Sequence, residues 1–184
     1  MTQARSKPMT AEELLERGDQ LSRCELVRGE IVEMVPAGYD HGDVAFAFGL
    51  LIGQFVREHG LGKVFAAETG FLLERNPDTV RAPDVAFIRS DRLSQGPHPG
   101  FFEGAPDLAV EVVSPNDSAS AITAKVEDWL HHGTDLVWVA DPQTRTVTAY
   151  TRDHHATIYH LDDTLPGEPV LTGFQLPLGE LFKR

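Results

Sequence analysis

The chain has 184 residues and a formal charge of −12, with one cysteine and 41% hydrophobic residues. That length fits one domain burying roughly 70% of the surface its unfolded chain exposes, and the charge excludes a protein that grips nucleic acid through a broad basic surface. A lone Cys24 excludes an intrachain disulfide framework, and no segment reaches the ~20 apolar residues of a membrane helix.

In chain order, MTQARSKPMT lacks the apolar stretch of a secretory signal, so residues 1–9 read as a flexible N-terminus and the chain as cytoplasmic and unanchored. Thr10 with Glu13 forms a capping-box pattern that opens a short helix through about Arg17. CELVRGEIVEM places two apolar runs around Arg28-Gly29 and predicts a hairpin whose second strand begins at Glu30. After the break Pro36-Ala37-Gly38, the run DHGDVAFAFGLLIGQFVREHG carries Val44, Phe48, Leu51, Phe55 and Val56 at helical spacing. Gly60 stops this helix, and His41 lies at its start.

The period then changes to two. KVFAAETGFLLE and VRAPDVAFIRS read as two strands joined by the turn NPDT, and SQGPHPGFFEGAP reads as a loop. PDLAVEVVS is predicted as a central strand, followed by a Ser-Pro-Asn-Asp-Ser break and a helix over about 119–132 that Gly133 terminates. DLVWVAD, TVTAYTR and ATIYHLD complete the strands, and GELFKR offers a closing helical turn. This order predicts an α/β fold with a mixed β-sheet core flanked by α-helices, formed as a single domain over 10–184. PDLAVEVVS and DLVWVAD are expected to form a parallel crossover unit, and the later strands to return antiparallel.

The feature that demands an explanation is Glu111 within PDLAVEVVS. Strand alternation puts Asp107, Ala109, Glu111 and Val113 on one face and Leu108, Val110 and Val112 on the other. A central strand with both faces covered buries its acid, and a buried carboxylate must be protonated, paired or bound to a cation. A structural salt bridge and a functional site are the two accounts. Asp84 in RAPDVAF opens a neighbouring strand with Ala86 and Ile88 on its face, although Pro-Asp also marks an ordinary turn. In the helix after Glu111, Ile122, Val126, Trp129 and Gly133 form the apolar stripe, and Lys125 lies about 60° from Ile122 at its border. Lys125 is also the only basic residue between Arg92 and Arg145, a segment with eight Asp and Glu. A solvated acidic face with a snorkelling lysine accounts for that charge as well.

Two carboxylates and a lysine form a set that can hold Mg²⁺ or Mn²⁺ and stabilise charge in phosphodiester hydrolysis. No Walker loop, GxGxxG, GxSxG or HExxH motif points elsewhere. His131, His132, His154, His155 and His160 fit no standard zinc spacing, and Trp129 and Trp138 read as core.

ELVRGEIVEM, His41 opening a helix, RAPDVAFI, PDLAVEVVSP, the helix lysine and GTDLVWVADP together resemble the Uma-two family of restriction endonucleases over about residues 10–184. The resemblance implies the PD-(D/E)xK nuclease fold, a restriction-endonuclease-like mixed sheet flanked by helices. It implies Asp84 and Glu111 as acids binding Mg²⁺ or Mn²⁺. Val113 stands where that motif usually has lysine, so Lys125 takes the role from the next helix. Glu30 is implied as an accessory acid and His41 as a polar or proton-transfer group; hairpin polarity and a helix-start contact account for these two equally well. Asp107 ranks below them as a residue that caps the loop before its strand.

The partner implied is nucleic acid, DNA in preference to RNA, met by a local strip of Arg57, Lys63, Arg75, Arg81, Arg89 and Arg92. A homodimer is expected from the frequency of twofold assemblies and from nuclease analogy. A non-catalytic binding domain that keeps the fold, and a hydrolase of small phosphorylated substrates, are the competing functions.

Overall fold

Two β-sheets share most of the strands in the computed structural model, which describes residues 7–21, 23–93 and 99–183. Residues 1–6 of the predicted N-terminal segment and 94–98 of the predicted loop lie outside the described residues. Helix α1 (Ala11–Arg17) carries both halves of its capping box: Thr10 Oγ1 accepts the Glu13 N–H at 3.2 Å, and the Glu13 carboxylate accepts the Thr10 N–H at 2.9 Å. Strands β1 (Cys24–Val27) and β2 (Glu30–Glu33) pair antiparallel across Arg28 and Gly29. Both turn residues have positive φ, 51° and 78°, the backbone twist that matches a tight hairpin. Glycine is the residue that fits at position 29, because a Cβ there would lie 2.4 Å from Pro8 Cβ.

Helix α2 (Tyr39–His59) buries Val44, Phe48, Ile52 and Val56, each four residues after the last, a spacing that keeps one face on the core. Complete burial of Phe48 and Ile52 contributes on the order of 1.5–3 kcal/mol each. Gly60, at φ 64°, ends the helix by donating its N–H to Val56 O.

The two strands expected next are each broken in two. KVFAAETGFLLE forms β3 (Gly62–Ala66) and β4 (Phe71–Glu74), and VRAPDVAFIRS forms β5 (Thr79–Arg81) and β6 (Val85–Arg89). β3 pairs antiparallel with β6, whereas β4 pairs antiparallel with β5. One long hairpin therefore crosses from one sheet into the other. The cause on one arm is Ala82-Pro83-Asp84, where proline has no N–H for a ladder bond; on the other arm Glu68 takes φ 70°.

After β7 (Phe102–Glu103), β8 (Leu108–Val112) runs through the sheet centre and α3 (Ala119–His131) follows, its N-cap Ser118 accepting the Ala121 N–H. Strands β9 (Leu136–Asp141), β10 (Thr146–Thr151) and β11 (Ala156–Tyr159) complete a six-stranded mixed sheet in the order β11-β10-β9-β8-β6-β3. β8 and β9 pair parallel, as expected for strands joined through a helix, and β9, β10 and β11 pair antiparallel. The smaller sheet runs β2-β1-β5-β4-β7. A third, two-stranded sheet of β12 (Thr164–Pro166) and β13 (Gln175–Pro177) precedes α4 (Leu178–Leu181). No sequence period marks this pair, because each strand spans only three residues and ends in proline.

The alternation of β8 sorts the core. Leu108, Val110 and Val112 join the α2 residues and the C-terminal segment, while Ala109 joins Phe71, Ala86, Ile88, Val126, Trp129 and Val137 on the α3 side. Leu14, Leu26, Leu72 and Val80 form a separate core between α1 and the smaller sheet. Among the described residues, no helix is long and apolar enough to cross a membrane.

Candidate active site

The place where the bent hairpin leaves one sheet for the other leaves backbone amides without ladder partners, and carboxylates accept them. Glu25 Oε1 on β1 accepts the Ala82 N–H at 3.0 Å, and Asp84 Oδ2 accepts the Val112 N–H at 2.8 Å. Both side chains are buried, as is Glu111 on β8. Backbone geometry thus collects three acids at the seam.

Glu111 is held from α3. Lys125 Nζ donates to Glu111 Oε2 at 3.0 Å, and Trp129 Nε1 donates to Glu111 Oε1 at 2.8 Å. The one-turn spacing of residues 125 and 129 on the helix lets both donors reach the same carboxylate. Lys125 Nζ also lies 3.9 Å from Glu25 Oε1, and Arg81 joins Glu25 Oε2 at 2.6 Å while its guanidinium bonds Asp128. Asp84 has His41 Nε2 at 3.2 Å from Oδ2 and Arg23 Nη2 at 4.0 Å from Oδ1.

Burial pushes the Glu111 carboxyl up to about 7; Lys125 opposes the shift, and Asp84 and Glu25 reinforce it. Burial pulls the Lys125 ammonium down, but Glu111, Glu25 and Asp84 outweigh it and hold the lysine above its ordinary value. For Arg81, burial is likewise overcome by Glu25 and Asp128, and the guanidinium is held above its ordinary value.

Asp84, Glu111, Lys125 and His41 are therefore brought together around one seam. Glu30 is not. It pairs with Val27 at the turn end of the hairpin and is exposed, and among the described residues it contacts none of the other four. Cross-strand partners share a face, so Glu30 points to the same side as Glu25 but two residues nearer the turn. The acid that joins the cluster is Glu25, and a signal for it was present: in CELV it interrupts an apolar strand as Glu111 does in PDLAVEVVS. Arg81 and Trp129 were also missed as site residues, since basic and aromatic strand or helix positions carry no distinctive spacing.

Asp107 shares the Glu111 face but serves the far end of β8. It accepts the Arg89 N–H at 2.8 Å, pairs with Arg89 Nη1 at 2.7 Å and lies 3.0 Å from Arg92 Nη1. The expected basic strip is largely neutralised in the same way: Arg75 pairs with Glu12 and Glu103, Arg81 with Glu25 and Asp128, and Arg89 and Arg92 with Asp107. Only Arg57 and Lys63 of that strip make no ion pair among the described residues. His132 and His155 are bound to Asp128 O and to Asp153 respectively.

The family model described as "Putative restriction endonuclease", Uma2, matches residues 11–179. The chain belongs to the Uma2 family. A crystal structure from Anabaena variabilis, described as a "putative nuclease belonging to DUF820", superposes with a TM-score of 0.80 at 22% identity, covering 95% of this chain and 98% of that one. No curated protein matches the chain. The Uma2 membership and the shared fold make this a nuclease-like domain with a mixed sheet flanked by helices.

The Uma2 family is one of restriction-endonuclease type, for which a divalent ion is implied, and the charge of this seam fits one. Glu25, Glu68, Asp84, Glu111 and Asp128 face Arg23, Arg81 and Lys125, so once Glu111 is ionised five carboxylates meet three cations and two negative charges remain. Among the described residues no group of three His, Cys, Asp or Glu side chains forms a ready-made cage.

Proposed function

We propose that this Uma2 domain hydrolyses phosphodiester bonds of nucleic acid at the seam between its sheets. The observation that carries the reading is the buried pairing of Glu111 with Lys125 at 3.0 Å, beside an Asp84 that has His41 at 3.2 Å. Asp84 and Glu111 would hold Mg²⁺ or Mn²⁺, which when bound polarises a phosphoryl oxygen and lowers the pKa of a coordinated water. Lys125, fixed between Glu111 and Glu25, presents a permanent positive charge to the negative charge that develops on the phosphoryl group. His41 stands within reach of Asp84 and carries a proton at an imidazole nitrogen facing that carboxylate or the leaving oxygen. Glu25 positions Lys125 and Arg81 and does not touch the reacting atoms.

The test is cleavage of labelled single-stranded and duplex DNA and RNA with Mg²⁺, Mn²⁺ or EDTA, comparing wild type with Glu111→Ala and Lys125→Ala. Cleavage that needs the ion and falls at least about a hundredfold in both variants supports the reading. Cleavage of none of these substrates, or cleavage equal in the variants, overturns it. The acids would then serve only the sheet seam of a binding domain.

A further inference from the structure

Beside the seam, a cavity of about 730 Å³ runs between α2 and β3. His41 and Asp84 line it, and so do Arg57 and Lys63. Positions 41 and 57 lie sixteen residues apart on one helix, so the trough is about 24 Å long. The site residues therefore sit toward one end and two free cations toward the other. Arg23, Arg75, Arg81, Arg89, Arg92 and Lys125 are all engaged by acids, whereas among the described residues Arg57 and Lys63 in this trough are not, which leaves a local cationic end in a chain of charge −12.

The walls are apolar. Phe46 and Leu50 line the trough from α2 while remaining 71% and 55% exposed, so the phenyl face has room for a planar partner. Gly49 and Gly53 lie on the same stretch of helix, where glycine is less favourable than alanine. No neighbour demands them: a Cβ at Gly53 would meet nothing within 4 Å, and one at Gly49 would meet only Val85 Cγ2 at 3.9 Å. Their effect is to keep the trough open. At the site end, His41 Nδ1 is buried without a hydrogen-bond partner among the described residues.

We propose that this trough is the path of a single unpaired nucleic-acid strand, with bases against Phe46 and Leu50 and phosphates on Arg57 and Lys63. The inference rests on the phosphodiesterase reading and names its substrate class. A single strand offers bare base faces to an apolar wall and needs only a local cationic track. A duplex hides those faces in its stack and brings one phosphate charge per ~1.7 Å against an acidic surface. Continuity with Asp84 and His41 distinguishes the strand from a second copy of the chain, which would cover the site.

The experiment measures binding by fluorescence anisotropy in EDTA, so that it does not depend on cleavage. The probes are a labelled oligothymidylate of about fifteen residues and a hairpin duplex of equal nucleotide count. The proteins are the full chain and its Phe46→Ala, Gly53→Leu and Arg57→Glu/Lys63→Glu variants. The strand is expected to bind at least roughly tenfold tighter than the duplex, and each variant to lose roughly tenfold or more for the strand. Gly53→Leu fills the trough yet keeps a helix former at an open position, so its circular dichroism and Tm should be no worse than wild type. Wild type that fails to bind the strand, duplex binding equal to strand binding, or variants that bind like wild type overturn the proposal. So does sedimentation showing a wild-type dimer that Gly53→Leu makes monomeric without changing strand affinity, because the trough then belongs to a second copy. Strand binding without cleavage would fail the hydrolytic reading alone; cleavage that ignores the trough variants would fail this inference alone.

Discussion

Replacing Glu111 with glutamine, in EDTA, should abolish a specific pH dependence of stability. The carboxyl stands at about 7 in the folded chain against 4.5 ordinarily, chiefly because of burial. Below pH 4.5 both folded and unfolded chains hold the proton and the group contributes nothing. Between 4.5 and 7 the unfolded chain ionises while the folded chain keeps its proton, so stability falls by about 1.4 kcal/mol per pH unit. Above 7 both are ionised and the loss is complete, at about 3 kcal/mol. Glutamine has no proton to lose, so its unfolding free energy should lack this fall. It does carry a separate penalty of about 1–3 kcal/mol: both Glu111 oxygens accept donors, from Lys125 and Trp129, and one amide nitrogen must now face a donor. That penalty does not vary with pH over this range, since Lys125 is held above its ordinary value. Urea unfolding at half-unit pH steps therefore should give two curves that converge by about 3 kcal/mol, or cross, as pH rises from 4.5 to 7.5. Parallel curves would refute the account of Glu111 as a carboxyl buried against its own ionisation.

Arg81→Met should cost about 3–5 kcal/mol in urea unfolding, because the guanidinium is the buried partner of Glu25 at 2.6 Å and its loss strands that acid. Asp107→Ala should cost about 2 kcal/mol, a figure discounted for the partial exposure of Arg89 and Arg92. Turnover per folded molecule, measured under the same cleavage assay, should not change. Lys125→Met should lower metal-dependent cleavage by roughly 10²–10³-fold, and with its neutralising charge gone the Glu111 carboxyl should rise further, moving the end of the stability fall to higher pH. Cleavage kinetics and the same pH series check both halves of that expectation.

Much of this was legible in the sequence because it depends on period. Two-residue alternation placed Glu111 with Ala109 and opposite Val110, which is how the two cores divide it. Helical spacing put Lys125 at the border of the α3 stripe, from which it reaches Glu111 at 3.0 Å. What period does not encode is the sheet to which a strand belongs. β4 and β5 continue β3 and β6 in sequence with no change of pattern, yet they pair in another sheet. That pairing brings β1, and with it Glu25, against Arg81 and Ala82. Without the bend, Glu25 and Glu30 are two hairpin acids with nothing to separate them.

The bend also limits what buried acids alone say about function. Glu25 and Asp84 each accept a backbone amide that the crossing leaves without a strand partner, so a chain that catalysed nothing would still favour acceptors at these positions. The features that exceed this structural need are different ones. Glu111 accepts no backbone amide among the described residues; its two partners are the side chains of Lys125 and Trp129. His41 contributes no hydrogen bond from its buried Nδ1 among the described residues, and with Glu111 ionised the seam keeps two more negative charges than its cations balance. A fold selected only for stability would tend to replace a buried Glu-Lys pair with apolar side chains of similar volume, which is often neutral or stabilising. Glu111→Leu/Lys125→Met is that replacement, and its unfolding free energy at pH 7.5 should match or exceed that of wild type once the ~1–3 kcal/mol lost by the Trp129 N–H, left without its acceptor, is set aside. A pair that stabilises nothing, in a seam with unbalanced charge, is what a site held ready for a cation and a phosphate requires. If the double variant instead lost several kcal/mol beyond that, the pair would have a structural reason of its own and the case for catalysis would rest on His41 and the charge surplus alone.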